Sequence, residues 1–201
     1  MNKKQILMYG GSFNPPLNSH FSLAQQLLNE YREIEKIIFV PVNSKYQKRD
    51  LIANEHRYQM LKLVCDKNEQ FEVSRIEIDS PRSLYTIETL KALAKIYPEY
   101  EMGFIIGSDN LKELYWWKNR EELVNNFKVY VLERQNESIE EIIQADQFLT
   151  ENKQCFIIAK NNIISNLSST FARENLKKQK SIRYFAPDEV VNYIDENKLY
   201  R

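Results

Sequence analysis

Glycine is scarce in this 201-residue chain: four residues, Gly10, Gly11, Gly103 and Gly107. A chain so sparing keeps glycine where the backbone turns sharply or meets something closely, although turn geometry alone also accounts for such positions. Cysteine is scarcer still. Cys65 and Cys155 lie far apart with no C-x-x-C spacing, which argues against a disulfide framework or a zinc site and for free thiols in a reducing compartment. No charge excess exists either, with 28 basic against 28 acidic residues. That excludes a global field for DNA, RNA or an anionic membrane, while a local patch for a small acidic ligand stays open. No apolar run approaches the ~20 residues of a membrane span. Met1-Asn2-Lys3-Lys4-Gln5 leads into too short an apolar stretch for a signal peptide. The expectation is a soluble cytoplasmic protein with no nucleic-acid or membrane partner; a homo-oligomer is compatible with everything in the sequence.

What is present is an alternation. Short β-branched or aromatic runs recur at 5–9, 36–40, 71–78, 102–106, 127–132 and 154–159, and helical spacing separates them: Leu23, Leu27 and Leu28; Met60, Leu61 and Val64; Leu90, Leu93 and Ala94. Strands of about five residues alternating with longer helices predict a doubly wound parallel α/β sheet, helices on both faces, joined by right-handed crossovers. The run 71–78 alternates more than the others, as an edge strand does. The polar stretch 136–147 reads as an exposed helix too short to separate domains. With no repeat, low-complexity tract or linker, residues 1–201 read as one domain.

In such a sheet, ligands bind beyond the carboxyl ends of the strands, where the strand order reverses. The segments that follow strands are 10–20, 41–49, 79–86, 107–117, 133–134 and 161–173, and the unusual residues collect there. Gly10-Gly11-Ser12-Phe13-Asn14-Pro15-Pro16-Leu17-Asn18-Ser19-His20 reads as a glycine turn, a rigid bend and a helix start. With Asn18 as cap, His20 falls in the first helical turn, beside N–H groups and a dipole that suit a phosphate. A capping or surface histidine fits equally well. His56 reads as structural. Lys45, Lys48 and Arg49 could meet the same phosphates or simply face solvent. Trp116 and Trp117 are adjacent, so either one of them can stack on a flat ring or both are partly buried. Ser168-Ser169-Thr170 reads as a second helix N-terminus, with Arg173 one turn on; hydroxyls there hold phosphate oxygens or merely cap the helix.

Gly10-Gly11-Ser12-Phe13-Asn14-Pro15 with His20, followed late in the chain by Ser168-Ser169-Thr170-x-x-Arg173, resembles the nucleotidyltransferase superfamily, and within it the nicotinamide/nicotinate mononucleotide adenylyltransferases. The resemblance continues in order through Pro41-Val42, Tyr46-Gln47-Lys48, Tyr85-Thr86-x-x-Thr89-Leu90, Gly107-Ser108-Asp109-x-Leu111, Trp117-Lys118 and Ser181-Ile182-Arg183-Tyr184, nearly the whole chain. One departure stands out: the first histidine of the H-x-G-H motif is Leu17, and its glycine is Ser19. Leu17-Asn18-Ser19-His20 is similar to the eukaryotic branch, whereas the compact length is nearer a bacterial chain.

That resemblance implies a Rossmann-like fold in which a pyridine mononucleotide attacks ATP, releasing pyrophosphate and forming NAD or deamido-NAD. The attacking phosphate is already an oxyanion, so positioning and charge neutralisation suffice without a general base. The chain indeed shows no Ser-His-Asp or paired-carboxylate machinery. By the same resemblance His20, Lys48 and Arg173 are catalytic, and Gly10, Gly11, Ser12, Phe13, Ser168, Ser169 and Thr170 join them around ATP phosphates. Tyr46, Tyr85, Thr86, Gly107, Asp109, Trp116, Trp117 and Arg134 contact the pyridine nucleotide or dinucleotide. Mg2+ arrives bound to ATP oxygens and water, with no protein ligand cluster. Two alternatives remain: a related transferase such as a phosphopantetheine adenylyltransferase, which a ring-stacking Trp117 disfavours, and a non-catalytic nucleotide sensor, which retention of His20, Lys48 and Arg173 disfavours.

Overall fold

The computed structural model describes residues 3–45, 51–133, 138–159 and 167–201. The chain runs β1 Gln5–Gly11, α1 Asn18–Glu30, β2 Ile34–Pro41, α2 Asn54–Cys65, β3 Phe71–Val73, α3 Thr86–Ile96, β4 Glu101–Gly107 and α4 Ser108–Glu113. It continues through α5 Arg120–Asn126, β5 Lys128–Leu132, α6 Ile139–Gln144, α7 Gln147–Glu151, β6 Phe156–Ile158, α8 Ser169–Lys177 and α9 Asp188–Glu196. Among the described residues the six strands form one sheet in the order β3-β2-β1-β4-β5-β6, and every neighbouring pair is parallel. The expected doubly wound α/β architecture is what the chain adopts. Strand order reverses between β1 and β4, which opens a crevice beyond their carboxyl ends.

Side-chain alternation along the central strands builds two cores. Ile6, Met8, Ile38, Val40, Phe104 and Ile106 face one way, against Ile87, Leu90 and Leu93 of α3 and Leu123 and Val124 of α5. Leu7, Tyr9, Ile37, Phe39 and Ile105 face the other, against Phe21, Ala24, Leu27 and Leu28 of α1 and Leu61 of α2. Each such side chain, taken from water, contributes about 2 kcal/mol. Because both faces are covered, the strands read as continuous apolar runs rather than half-polar ones. A third, smaller core lies past the sheet: Leu17, Met60, Ala172, Ile182, Val190, Ile194 and Leu199 bring together the start of α1, α2, α8 and α9. Leu17, the departure from the H-x-G-H pattern, is thus a fully buried packing residue of this third core.

Four expectations need correction. The edge strand does not extend over 71–78; it ends at Val73, because Ser74 Oγ accepts the Ile76 N–H and Asp79 N–H bonds back to the Arg75 carbonyl, closing a turn. The segment 136–147 holds α6, which is exposed on one face only: Ile139, Ile142 and Ile143 fall at i, i+3, i+4 and enter the first core, with Ser138 capping through its hydroxyl. Residues 153–155 form a 3₁₀ turn before β6. Asn18 does not cap α1, since Leu17 holds that position and Asn18 Nδ2 instead donates to the Tyr184 carbonyl. Cys65 and Cys155 are unlinked, and burial pushes the Cys65 thiol up to about 12, as for a core side chain. No helix among the described residues is long and apolar enough to cross a membrane.

Candidate active site

The crevice at the strand-order reversal is a cavity of about 850 Å3. Its floor is the end of β1 and β4, and its rim is the start of α1, α4 and α8. Gly10, Gly11, Ser12, Phe13, His20, Gly107, Asp109, Ser168, Ser169, Thr170 and Arg173 all line it. Residues separated by more than 150 positions in the chain therefore meet around one volume. Of the other residues assigned from the sequence, Tyr85, Thr86, Trp116 and Trp117 are not among the lining, and Tyr46, Lys48 and Arg134 lie outside the described residues. Lys45 turns away, its ammonium donating to the Pro81 carbonyl at 2.7 Å.

The glycine turn is shaped by its neighbours. Phe13 adopts a left-handed backbone, φ 44°, and folds its ring over Gly11, where a Cβ would come within 3.0 Å of it. Gly10 differs: the nearest atom to an added Cβ is Met8 Cε at 3.9 Å, so no protein neighbour demands glycine there. Its bare backbone is exposed to the cavity. The Asn14–Pro15 peptide is cis.

His20 is fixed from two directions. Its Nδ1 accepts the Leu17 N–H at 2.9 Å, closing the first turn of α1. That bond selects the tautomer in which Nε2 carries the proton, so the ring is a hydrogen-bond donor through Nε2. Phe13 meets the ring edge-on at 5.2 Å and Tyr9 at 6.2 Å. The capping reading of His20 is thus met through Nδ1, and the ring also lines the cavity.

Across the cavity, Ser168 caps α8 by accepting the Phe171 N–H at 3.1 Å, and Ser169 Oγ donates to the Pro15 carbonyl at 2.8 Å. Arg173 sends Nη1 to the Asn14 carbonyl at 2.9 Å and Nη2 to Thr170 Oγ1 at 3.2 Å. Helix α8 is thereby bolted to the loop 14–15, and the positive ends of α1 and α8 converge with a guanidinium beside them. A polyanion is the natural occupant of such a field.

Two supports were not legible in the sequence. Arg57 is fully buried and donates to the carbonyls of Ile52 at 3.2 Å, Ser12 at 3.0 Å and Val42 at 2.5 Å, and to Asn54 Oδ1 at 2.7 Å. Burial lowers its pKa to about 10, and it stays charged at neutral pH. A clue was available: positions 57, 60 and 61 share one helix face with buried Met60 and Leu61. The other support is Asn14, buried at 1% exposure, whose carboxamide oxygen accepts from Tyr200 across 186 positions. His56, by contrast, is a brace between α2 and α9, its Nδ1 3.0 Å from Tyr193 OH.

Away from the cavity, Tyr85 caps α3 and Thr86 opens it; the Glu88 carboxylate accepts the Tyr85 N–H and pairs with Arg82. Trp117 packs on the first core, stacked with Phe104 at 6.3 Å, whereas Trp116 is 81% exposed beside Tyr115. Below α3 the Glu77 carboxylate is buried and accepts from Thr89 Oγ1 at 2.8 Å. Burial raises its pKa to about 7, opposed by that hydrogen bond and by the Arg57 charge.

A doubly wound sheet with two helix N-termini closing on its switch point is a framework that can hold a nucleotide's phosphates. The chain belongs to the cytidylyltransferase-like family, whose profile matches residues 8–175, and it is a nucleotidyltransferase. It is 34% identical over 100% of both chains to the probable nicotinate-nucleotide adenylyltransferase of Christiangramia forsetii, and 32% identical over 98% of both chains to that of Carboxydothermus hydrogenoformans. A solved structure of Plasmodium falciparum nicotinic acid mononucleotide adenylyltransferase complexed with NaAD shares the fold, with a TM-score of 0.77 over 98% of this chain and 97% of its own at 22% identity. The APC complex of the same enzyme gives 0.76.

Proposed function

We propose that this chain transfers the adenylyl group of ATP to nicotinate mononucleotide, forming deamido-NAD and pyrophosphate in NAD biosynthesis, as a single domain acting in the cytoplasm. The observation that carries this reading is the convergence of His20, Arg173 and the first turns of α1 and α8 on one polar cleft at the strand-order reversal. Full-length relatives at 32–34% identity that bear the nicotinate-nucleotide name supply the choice of the acidic pyridine.

The chemistry needs little beyond placement. A phosphate oxygen of the mononucleotide forms a bond to the α-phosphorus of ATP, and the bond from that phosphorus to the β-bridging oxygen breaks, its electrons leaving with pyrophosphate. Neither event requires a proton to be removed from the nucleophile. Gly10 and Ser12 offer backbone amides to the α-phosphate, and His20 donates from Nε2 as charge builds on its oxygens. Ser168, Ser169, Thr170 and Arg173 hold the β,γ-phosphates that depart. Gly107 admits the adenosine and Asp109 accepts from ribose hydroxyls. The pyridine end falls to Tyr85, Thr86 and Trp117, with Trp116 beside them; Tyr46, Lys48 and Arg134 complete the assignment from segments outside the described residues.

Mg2+ in this reading would come in on ATP oxygens and water and, when bound, would neutralise phosphate charge. The cleft lining includes the single carboxylates Asp109, Glu113 and Glu133.

The test is direct. The protein is incubated with MgATP and either nicotinate or nicotinamide mononucleotide, and pyrophosphate and dinucleotide are both measured. The expected result is deamido-NAD formed with kcat/KM at least ~10-fold above that for NAD, a margin of about one discriminating polar contact. Absence of product with either pyridine nucleotide overturns the assignment, and ATP binding without turnover would support a sensor.

A further inference from the structure

The segment after α9 packs against the loop that follows β1. Beyond α9 the chain bends twice through left-handed residues, Lys198 at φ 52° and Tyr200 at φ 62°. Leu199 N–H bonds to the Ile194 carbonyl, and the Leu199 side chain enters the third core beside Leu17 and Ala172. These two bends carry the ring of Tyr200 onto the same core and bring its hydroxyl 2.8 Å from Asn14 Oδ1. The Ile52 N–H reaches that oxygen as well, at 3.4 Å, while the Asn14 carbonyl takes Arg173 Nη1. Asn14 is the residue on which the glycine turn, α8, the lead-in to α2 and the C-terminus all close.

Each of these partners acts on backbone that belongs to the cleft. Phe13 precedes Asn14 in a left-handed conformation, a state that persists only where the surroundings over-determine it. The surroundings here are hydrogen bonds to Ser12 O, Asn14 O, Asn14 Oδ1 and Pro15 O. Of these, the bond from Tyr200 is made by a residue outside the 8–175 stretch that the family profile matches. The two flanking guanidiniums, Arg57 and Arg173, favour the phenolate, but burial outweighs them and holds the hydroxyl in its protonated, donating form.

We infer that Tyr200 is a positioning residue for adenylyl transfer: through Asn14 it sets the conformation of the glycine turn, so that the amides of 10–12 and the ring of His20 are in register for the α-phosphate. The inference rests on the reading of the cleft as the adenylyl-transfer site. A tyrosine that merely glued the C-terminus to the fold would alter stability and leave the turnover of folded enzyme unchanged. One that sets the turn alters kcat through Asn14, with substrate affinity moved less.

Tyr200→Phe keeps the ring and deletes the donor, and Asn14→Ala deletes the acceptor. Turnover is measured per folded molecule, well below each variant's Tm. Tyr200→Phe is expected to lower kcat about tenfold, the worth of one buried hydrogen bond, with KM for ATP within about twofold. In an Asn14→Ala background the same change is expected to add nothing, because the partner is gone. Hydrogen exchange at residues 10–14, read without substrate, is expected to rise about tenfold in Tyr200→Phe while residues 5–9 of β1 stay protected. Unchanged exchange at 10–14, or additive losses in the double variant, overturns the inference. Raised exchange in a protein whose wild type forms no dinucleotide leaves the turn-setting role standing and overturns the adenylylation reading instead.

Discussion

The two ends of the site are made of different material. At the cleft, the backbone and side chain of the glycine turn are tied from several sides: Arg57 to Ser12, Arg173 and Tyr200 to Asn14, Ser169 to Pro15. At the proposed pyridine end, outside the lining of the cleft, Tyr85 and Trp116 stand largely in solvent and Trp117 leans on the core through Phe104. Charge stabilisation depends steeply on distance, so donors to phosphoryl oxygens must be preorganised. Recognition of a flat ring tolerates more movement, because a stacking contact has a broad minimum. For the proposed reaction, the contrast assigns chemistry to a rigid end and recognition to a looser one.

The largest effect should come from the rigid end. His20→Ala removes one donor from the developing charge, and kcat is expected to fall by about 10²–10³. Because Nδ1 also closes the first turn of α1, the same change should lower stability by ~1 kcal/mol, read from urea unfolding. A kcat within about threefold of wild type, less than ~1 kcal/mol of transition-state stabilisation, would remove His20 from the reaction.

The second effect belongs beneath the pyridine end. Glu77, under α3, has a carboxyl raised from 4.5 in its ordinary setting to about 7 by burial. In the folded protein it keeps its proton at pH values where the unfolded chain has lost it. Its favourable contribution is therefore complete below about pH 4.5 and disappears as pH rises through 7, on the order of 3 kcal/mol in all. Subtracting the unfolding free energy of Glu77→Gln from that of wild type should give a difference that falls across this window. A flat difference between pH 4.5 and 8 contradicts the assignment. Glu77 is joined to Thr89, four residues past the Tyr85 cap, so the titration should loosen the pyridine end first.

The smallest effects separate the two tryptophans. Trp117→Ala should reduce stability by about 2 kcal/mol, as a half-buried ring leaves a gap beside Phe104, and should raise KM for the mononucleotide more than for ATP. Trp116→Ala should change stability by no more than ~0.5 kcal/mol. Equal stability losses in the two variants would erase the distinction between a wall and a surface residue.

Much of this was readable in the order of residues. The alternation of apolar runs and helical stripes announced the parallel sheet, since burial on both faces demands continuous apolar strands. The glycine turn, His20 and the hydroxyl-rich start of α8 were visible as local patterns, because a helix N-terminus is specified by a handful of neighbouring residues. Failures came where a local pattern had two solutions. Residues 71–78 kept a strand-like alternation, yet Ser74 could close a turn with its hydroxyl. The helix at 139–144 looked polar on average, while its three isoleucines shared one face. Arg57 was hidden among polar neighbours, since a charged residue is read as exposed unless its partners, here backbone carbonyls from three other segments, are already in place.

What the sequence determined by itself is the set of parts: strands, helices, the glycine turn, and residues such as His20, Ser168 and Arg173 that line one cleft. Those depend on periodicity and on neighbours within a few positions. Only the tertiary structure decided how the parts are held. It made Leu17 a core residue, divided His20 between a cap and a donor nitrogen, and brought Tyr200 to Asn14 from the far end of the chain. A hydrogen bond spanning 186 positions leaves no periodic trace, because its geometry exists only after three separate cores have packed.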